Sequence, residues 1–208
     1  YEGIYRSDEE ALAHLHSYDA GSIPFHAGDA RYADVNNDGK IDANDRVDLG
    51  SSIPWLNYGI NIGAWWRDFD IQIFFQGVGG NKIYNQQRHN LESNGSTSVL
   101  SPIMADAWTA ENPEGSIPNP RNSINYYTSD RFLESGSYLR LKNLQIGYSL
   151  PRSLISRWGF QNCRVYLQGG NLFTITNYKG FDPEVSSGVD YGNYPQSRTF
   201  IFGLNITY

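Results

Sequence analysis

Hydrophobic residues alternate with small or polar residues along several stretches of this chain, and the pattern is clearest in its last eleven residues, 198–208. After Arg198, every second residue is apolar, namely Phe200, Phe202, Leu204, Ile206 and Tyr208. Alternation with a period of two predicts a β-strand with one apolar and one mostly polar face. The pattern runs to a terminal aromatic without a polar tail, which favours a membrane β-barrel strand over a half-buried strand of a water-soluble domain.

Four further stretches alternate in the same way and predict four more strands, at residues 57–66, 68–77, 139–150 and 163–173. Each is close to the ~9–11 residues with which a tilted strand crosses a bilayer. Only Arg67 and Asp68 separate the first two, which predicts a tight hairpin. The apolar parity changes within 139–150, so we expect a β-bulge near Lys142 and Asn143.

Short and long connections between these strands follow one another in turn. The expected organisation is a loop at 1–56, a hairpin at 57–77, a loop at 78–137, a hairpin at 138–173, a loop at 174–198 and a terminal strand at 199–208. Outer-membrane barrels have short periplasmic turns and long extracellular loops. The sequence therefore predicts an all-β fold, an antiparallel transmembrane β-barrel segment with long extracellular loops. Because about five strands cannot close a bacterial barrel, we expect the rest of the barrel to lie elsewhere.

A capping-box pattern opens the one helix that the sequence predicts, at residues 7–18. Ser7 and Glu10 have the spacing at which each side chain accepts a hydrogen bond from the other's backbone N–H. His14 and His16 are two positions apart and would point to different sides of the helix, so we expect no metal site there.

Oxygen-bearing side chains recur between residues 34 and 45 with the spacing of a calcium-binding loop. Gly39 occupies the position of the sharp turn and Ile41 the aliphatic position. The expected ligands are Asp34, Asn36, Asp38, the backbone carbonyl of Lys40, Asp42 through a water molecule, and Asp45. Asp45 stands where the longer glutamate is usual, and no following helix is predicted. The alternative is an acidic loop that its own side-chain to backbone hydrogen bonds stabilise without metal.

Charge and composition exclude several classes of function. The formal net charge is -6 and the cationic residues are scattered, which disfavours nucleic-acid binding. No apolar run approaches the ~20 residues of a membrane helix. No nucleophile elbow, phosphate loop, zinc-protease motif or paired-carboxylate signature occurs, so we expect no enzyme and in particular no glycosidase. The single Cys163 excludes an internal disulfide.

Six segments of the chain resemble, in the same order, motifs of the SusC/RagA-type TonB-dependent outer-membrane transporters. They are residues 28–42 (GDARYADVNNDGKID), 74–77 (FFQG) with Asn81 and Tyr84, 137–144 (SYLRLKNL), 171–174 (NLFT), 180–184 (GFDPE) and 194–200 (YPQSRTF). Asn37 stands where the family more often has glycine, a difference that leaves the expected calcium ligands in place.

This resemblance implies the last ~5 strands of a 22-stranded barrel in the bacterial outer membrane. It also implies energy-coupled import of oligosaccharides or oligopeptides with a SusD-like surface lipoprotein, and coupling to TonB through an upstream region that is not among these residues. Solute would pass along the polar face, for example at Asn61, Gln72, Gln76 and Asn205. Trp108, Tyr126, Tyr127, Tyr191 and Tyr194 are loop aromatics that could stack on sugars or on the lipoprotein, or pack within the loops.

The main alternative is a water-soluble, calcium-stabilised β-sandwich that binds carbohydrate. It would use the same alternation and the same aromatic loops. The regular succession of short and long connections argues against it, and so do the apolar faces that include Trp66 and Tyr208.

Overall fold

The computed structural model describes residues 1–14, 17–18, 25–93, 102–120 and 122–208. These residues form two compact units. The strand unit contains Ser51–Ile83, Glu134–Gly188 and Gly192–Tyr208. The loop unit contains Tyr1–Gly50, Tyr84–Leu133 and Val189–Tyr191.

The strands that the structure describes are, in chain order, β1 Gly3–Ile4, β2 Ser17–Tyr18, β3 Ala30–Arg31, β4 Lys40–Ile41, β5 Leu56–Trp66, β6 Phe69–Gly79, β7 Lys82–Asn85, β8 Leu133–Ser135, β9 Tyr138–Ser149, β10 Asn162–Thr176, β11 Val189–Asp190 and β12 Thr199–Thr207. The α-helices are α1 Asp8–His14, α2 Gln86–Glu92 and α3 Arg152–Ile155. Short 3-10 helices lie at Ala43–Asp45, Pro102–Asp106, Ser123–Tyr126, Asp130–Phe132 and Ser156–Trp158.

The five strands predicted from the alternation form one antiparallel sheet, in the order β12-β10-β9-β6-β5. Two of them continue beyond their predicted C-terminal ends, β6 to Gly79 and β10 to Thr176. The two-residue turn between β5 and β6 is confirmed, and Arg67 takes a left-handed φ of 55° in it. The fold class is therefore confirmed: this is an antiparallel sheet of a β-barrel.

The predicted bulge also lies where the parity changes. Phe74 pairs with Asn143 and Phe75 pairs with Leu141, so Lys142 is the extra residue of β9. On the other side of β9, Gly170 pairs with Asn143 and Phe173 with Leu141, and Asn171 adopts a φ of 52° within that irregularity. Because Lys142 is inserted, the apolar positions of β9 change from odd to even at the bulge and still lie on one face of the sheet.

The apolar face of the sheet is largely uncovered. Its most exposed large residues include Ile60, Ile62, Trp66, Ile146, Leu167, Phe200, Phe202 and Leu204. A β-sandwich would bury this face against a second sheet. The exposed face instead matches the lipid-facing surface of a membrane barrel, and the β-sandwich alternative is wrong.

The loop unit has a small apolar core formed by Tyr5, Ala11, Phe25, Ala30, Tyr32 and Ile124. Helix α1 contributes Ala11, and its predicted cap is confirmed only in part. The Glu10 N–H donates to Ser7 Oγ at 3.2 Å, but the Glu10 carboxylate accepts from the N–H of Arg6 instead of Ser7. The other oxygen of Glu10 binds Arg31, which draws the carboxylate away from the expected partner. His16 lies outside the described residues.

Buried polar side chains join distant segments of the loop unit. Asn125 is fully buried, accepts from the N–H of Ala30 at 2.7 Å and donates to Asp29 at 3.0 Å. Glu92, at the end of α2, is 1% exposed and binds both Arg88 and Arg131. The alternation pattern predicted neither α2 nor these contacts. Among the described residues, no helix has the length and apolar character needed to traverse a bilayer.

Candidate functional site

The polar face of the five-stranded sheet forms an ordered surface because the registers of neighbouring strands agree. Gln72 of β6 pairs with Gln145 of β9, which pairs with Gln168 of β10. Three neutral amides therefore lie side by side across three strands. An amide carries both donors and an acceptor, so this row can hydrogen-bond to passing hydroxyl or amide groups without holding a charge.

The four residues that the sequence assigned to the lumen all lie on this polar face. Gln76 pairs with Arg140 in the row next to the bulge. Asn61 pairs with Phe74, and Asn205 pairs with Arg164 at the other edge of the sheet. Gln72 belongs to the amide row. Gln72 and Gln76 share one face because they are four positions apart on one strand, and the strand registers place Asn61 and Asn205 on the same face.

An ion pair spans the polar face close to the β5–β6 turn. Arg164 of β10 donates to both carboxylate oxygens of Asp70 of β6, at 2.8 and 2.6 Å. The bond passes over Gly147 of the intervening β9, where a Cβ atom would lie 2.3 Å from the guanidinium. A larger residue at position 147 would therefore displace the ion pair, which joins two strands that are not neighbours in the sheet.

A second ionic cluster connects the polar face to the segment after β10. The side chain of Arg140 is only 3% exposed and donates to Asp182 at 2.7 Å and to Glu184 at 2.8 Å. It also donates to the hydroxyl of Thr174, its partner in the β10 register. Lys142, the bulge residue, reaches Glu184 at 3.2 Å. The cluster therefore attaches residues 182–184 to β9, near the strand end at Tyr138.

The carboxyl group of Asp182 is held in its charged form. Burial alone would raise its pKa, but the backbone N–H groups of Gln196 and Glu184 and the guanidinium of Arg140 all donate to it. Together they lower the pKa of Asp182 below its ordinary value. The buried charge is thus compensated at physiological pH.

A cavity of about 280 Å³ lies beside this cluster, within the strand unit. Arg140 and Asp182 line its buried side, and Phe181, Gln196 and Arg198 line its exposed side. Asn171, the left-handed residue of the β10 irregularity, also borders it.

The structure keeps the predicted calcium loop in a tight conformation through hydrogen bonds to its own backbone. Asp34 accepts from the N–H groups of Asp38 and Gly39, and Asp45 accepts from those of Val35 and Asp42. The remaining expected side-chain ligands also accept backbone hydrogen bonds: Asn36 from Asp38, Asp38 from Lys40 and Asp42 from Asn44.

The loop conformation agrees with the positions that the spacing assigned. Gly39 has a φ of 79°, as the sharp turn requires, and Asn37 has a φ of 58°. All expected ligand atoms are oxygens, which suits calcium. Within the described residues, however, no three His, Cys, Asp or Glu side chains converge on a common point. The oxygen donors therefore fit a calcium ion, while in this structure the same side chains accept hydrogen bonds from the backbone of the loop.

The loop aromatics fall into two groups. Trp108 packs so closely on Gly28 that a Cβ atom there would lie 2.3 Å from the indole, and Tyr126 donates its hydroxyl to the carbonyl of Pro118. These two serve the packing of the loop unit. Tyr127, Tyr191 and Tyr194 are exposed, and Tyr194 most of all at 90%.

Arg140 and Asp182 were not identified as site residues from the sequence, although both occur in motifs that carry the family resemblance. Their pairing joins positions 42 residues apart, which alternation within a strand does not reveal. The one available signal was an arginine at a polar-face position of a strand whose other face is lipid-facing.

Curated relatives align with most or all of the chain. TonB-dependent receptor P3 of Formosa agariphila is 36% identical over 222 residues, which cover 100% of this chain and 21% of that receptor. TonB-dependent receptor SusC of Bacteroides thetaiotaomicron is 30% identical over 85% of this chain and 17% of its own length. The chain thus spans about a fifth of the length of the curated relatives it matches. No family model matches the chain.

Solved structures agree with these relatives. The RagAB peptide importer in its "open-open" state matches with a TM-score of 0.69 and 31% identity, over 85% of this chain and 20% of that chain. Its "closed-closed" state matches with a TM-score of 0.67 and 32% identity, over 76% of this chain and 18% of that chain. Sequence and fold therefore lead to the same conclusion: this chain belongs to the SusC/RagA-type TonB-dependent receptors.

Proposed function

We propose that this chain forms part of the wall and outer loops of an outer-membrane importer that takes up oligosaccharides or oligopeptides. The importer acts with a SusD-like surface lipoprotein and receives energy from TonB through a region upstream of these residues. The chain itself contributes lipid anchorage, a polar path and loops, and carries out no catalysis.

One observation carries this proposal. Across all five strands, one face holds the amide row and the other polar positions, while the opposite face exposes large apolar side chains. Lipid requires the apolar face, and a hydrated lumen requires the polar face. A wall of this kind suits passage of a polar solute, and the names of the TonB-dependent receptor relatives and the RagAB peptide importer support transport as its purpose.

The test is to fractionate cells that produce the full-length receptor carrying this chain, and to compare their solute uptake with that of cells that lack the receptor gene or TonB. We expect the receptor in the outer-membrane fraction, and we expect uptake of its oligosaccharide or peptide to stop when TonB is removed. A receptor found in the soluble fraction, or uptake that is indifferent to TonB, would contradict the proposal.

The lipoprotein partnership follows from the SusC/RagA resemblance and has its own test. Detergent extracts of cells with a tagged receptor should yield a stoichiometric surface lipoprotein on affinity purification. The exposed Tyr194 is a candidate for this contact. Recovery of the receptor without any lipoprotein under mild extraction would exclude a stable complex.

We further propose that the loop at residues 34–45 binds calcium as a structural ion. Asp34, Asn36, Asp38, the carbonyl of Lys40, Asp42 and Asp45 would hold it. Calcium would neutralise the clustered carboxylates and stiffen the loop, and it takes part in no transport step.

Calcium binding can be measured by calorimetry and by protease resistance of the loop, with no need for transport. Asp34→Asn together with Asp45→Asn should abolish binding, whereas Asp48→Asn, just outside the expected ligand set, should retain it. Equal protease resistance of the wild-type loop with calcium and with chelator, and no heat of binding, would favour the loop stabilised by its own hydrogen bonds.

A further inference from the structure

The lipid-facing side of the sheet ends in a row of aromatic residues beside the β5–β6 turn. Trp66 of β5 pairs with Phe69 of β6, which pairs with Tyr148 of β9. Trp66 is 68% exposed at this end of the apolar face. Aromatic residues of barrel strands lie where the hydrocarbon core of the membrane meets the lipid headgroups. This row therefore indicates the level of the headgroups at the turn end of the sheet.

A cation is held on the lipid-facing side at this level. The guanidinium carbon of Arg67, in the turn, lies 5.0 Å from the centroid of the Trp66 ring. Because Trp66 belongs to the apolar face, the stacked guanidinium lies next to lipid and not above the polar face.

The segment between β9 and β10 adds exposed apolar side chains at the same end of the sheet. It begins beside the turn, since the N–H of Ser149 donates to the carbonyl of Asp68 at 2.8 Å. Helix α3 packs against β10 and buries Ile155, which is 1% exposed. Leu154 and Trp158 are instead 56% and 70% exposed. They are four positions apart in a helical segment, so they form one apolar patch that requires a cover.

Positive charge surrounds this patch. Arg152 and Arg157 are exposed beside it, and residues 149–162 contain no Asp or Glu. Within the described part of the chain, the guanidinium groups of Arg67, Arg152 and Arg157 form no ion pair or hydrogen bond with another residue. Asp68 is the one acidic residue of the adjoining turn. In a chain with a formal net charge of -6, this end is therefore locally positive and complements an anionic partner.

We propose that these groups form a binding site for an anionic phospholipid, the turn-end lipid site. Arg67, Arg152 and Arg157 bind the phosphate of the headgroup. Leu154 and Trp158 enter the boundary between the headgroups and the acyl chains. Continuity with the lipid-facing side of the sheet favours a lipid over a protein partner, and the three arginines favour an anionic over a zwitterionic headgroup. The inference rests on the proposed outer-membrane location and adds a specific lipid contact to it.

The first experiment measures lipid binding to the full-length receptor that carries this chain, purified in detergent, by native mass spectrometry. The probes are dioleoylphosphatidylglycerol, which is anionic, and dioleoylphosphatidylcholine, which has the same chains and no net charge. We expect the wild type to bind phosphatidylglycerol about tenfold more tightly or better. Changing Arg67, Arg152 and Arg157 together to glutamine should weaken this binding by roughly 100-fold, since each cation near a membrane surface contributes about fivefold. Binding of phosphatidylcholine should stay unchanged.

Matched variants separate lipid recognition from misfolding. Arg198→Gln alters an exposed arginine at the opposite end of β12 and should bind both lipids as the wild type does. Changing the three arginines to lysine should retain most of the affinity, because attraction to the headgroup depends mainly on charge. Heat-modifiable migration on gels reports that each barrel is folded.

A second experiment tests whether the apolar patch enters the lipid. The receptor is reconstituted into vesicles of phosphatidylglycerol and phosphatidylcholine with brominated acyl chains, which quench tryptophan emission on contact. The emission that is lost in Trp158→Phe reports Trp158 and should be quenched. The emission that is lost in Trp108→Phe should not be quenched, because Trp108 packs on Gly28 in the loop unit.

The inference is wrong if the wild type binds both lipids equally, if the triple glutamine variant binds phosphatidylglycerol as the wild type does, or if Arg198→Gln weakens binding as much as the triple change. Unquenched Trp158 emission would also overturn it and would assign the patch to a protein partner. A receptor that stays in the outer membrane with TonB-dependent uptake but without a preference for phosphatidylglycerol would lose only the lipid site. Absence of the wild type from the outer-membrane fraction would contradict the import function itself.

Discussion

The strand unit and the loop unit are stabilised in different ways. In the strand unit, continuous hydrogen-bonded ladders join five long strands, and many equivalent side chains share each face. In the loop unit most elements are short, and single buried polar residues such as Asn125 and Glu92 connect segments far apart in the chain. A regular structure spreads its stability over many positions, whereas the loop unit concentrates it in a few. The predictions below test this contrast.

The largest effect is expected at Glu92 of the loop unit. Glu92→Ala would leave Arg131, which is 7% exposed, and Arg88 without their shared carboxylate. Breaking a buried ion pair costs about 3–5 kcal/mol. Hydrogen exchange in the full-length receptor should show faster exchange of residues 84–93 and 122–133. Glu9→Ala, at an exposed position of α1, is the control, and equal exchange in both variants would show that Glu92 is not critical.

In the strand unit, the effect of a charge should depend on the face that receives it. Leu167→Arg places a cation on the lipid-facing side of β10, at a cost of about 2–4 kcal/mol near the bilayer midplane. Gln168→Arg, one residue further on, places it on the polar face and should cost little. Denaturant unfolding of the receptor in lipid vesicles measures both. Equal destabilisation would contradict the assignment of the two faces.

A polar contact in the strand unit should matter less than Glu92 does in the loop unit. Asp70→Asn removes the charge from the pair with Arg164, and hydrogen bonds to charged groups contribute about 1.5–3 kcal/mol. We expect a loss at the lower end of this range because the ladders of β6, β9 and β10 remain. Asp68→Asn in the neighbouring turn is the control for the same unfolding assay. A loss as large as that of Glu92→Ala would remove the contrast between the units.

The smallest effect is expected from a change of pH, because the stabilisation that Asp182 contributes is complete at neutral pH and is lost only in acid. Its pKa is lowered from an ordinary 3.8 in the folded protein, so its stabilisation is complete above about pH 4. It is lost as the pH falls through the lowered value. Hydrogen exchange of residues 180–198 should therefore accelerate in acid. In the Asp182→Asn variant, exchange should already be faster at pH 7 and should no longer depend on acid. If the variant kept the acid dependence of the wild type, a group other than Asp182 would be responsible for that dependence.

Much of the strand unit could be predicted from local pattern. Alternation located the five strands, the turn at Arg67 and even the bulge at Lys142, because each depends on neighbouring residues along the chain. The oxygen spacing of residues 34–45 likewise defined a calcium-loop motif, and ion binding there stays a prediction. The site next to Arg140 was not predicted, because its partners come from separate elements.

The sequence by itself determined which residues form strands, which face each side chain takes and to which family the chain is similar. These properties follow from a period of two and from motifs read in order along the chain. Only the tertiary structure decided that Arg140 meets Asp182, that Glu92 is shared by two arginines and that Asn171 and Arg198 border one cavity. The physical reason is that long-range pairs depend on strand register and loop closure, and neither leaves a periodic signal in the residues involved.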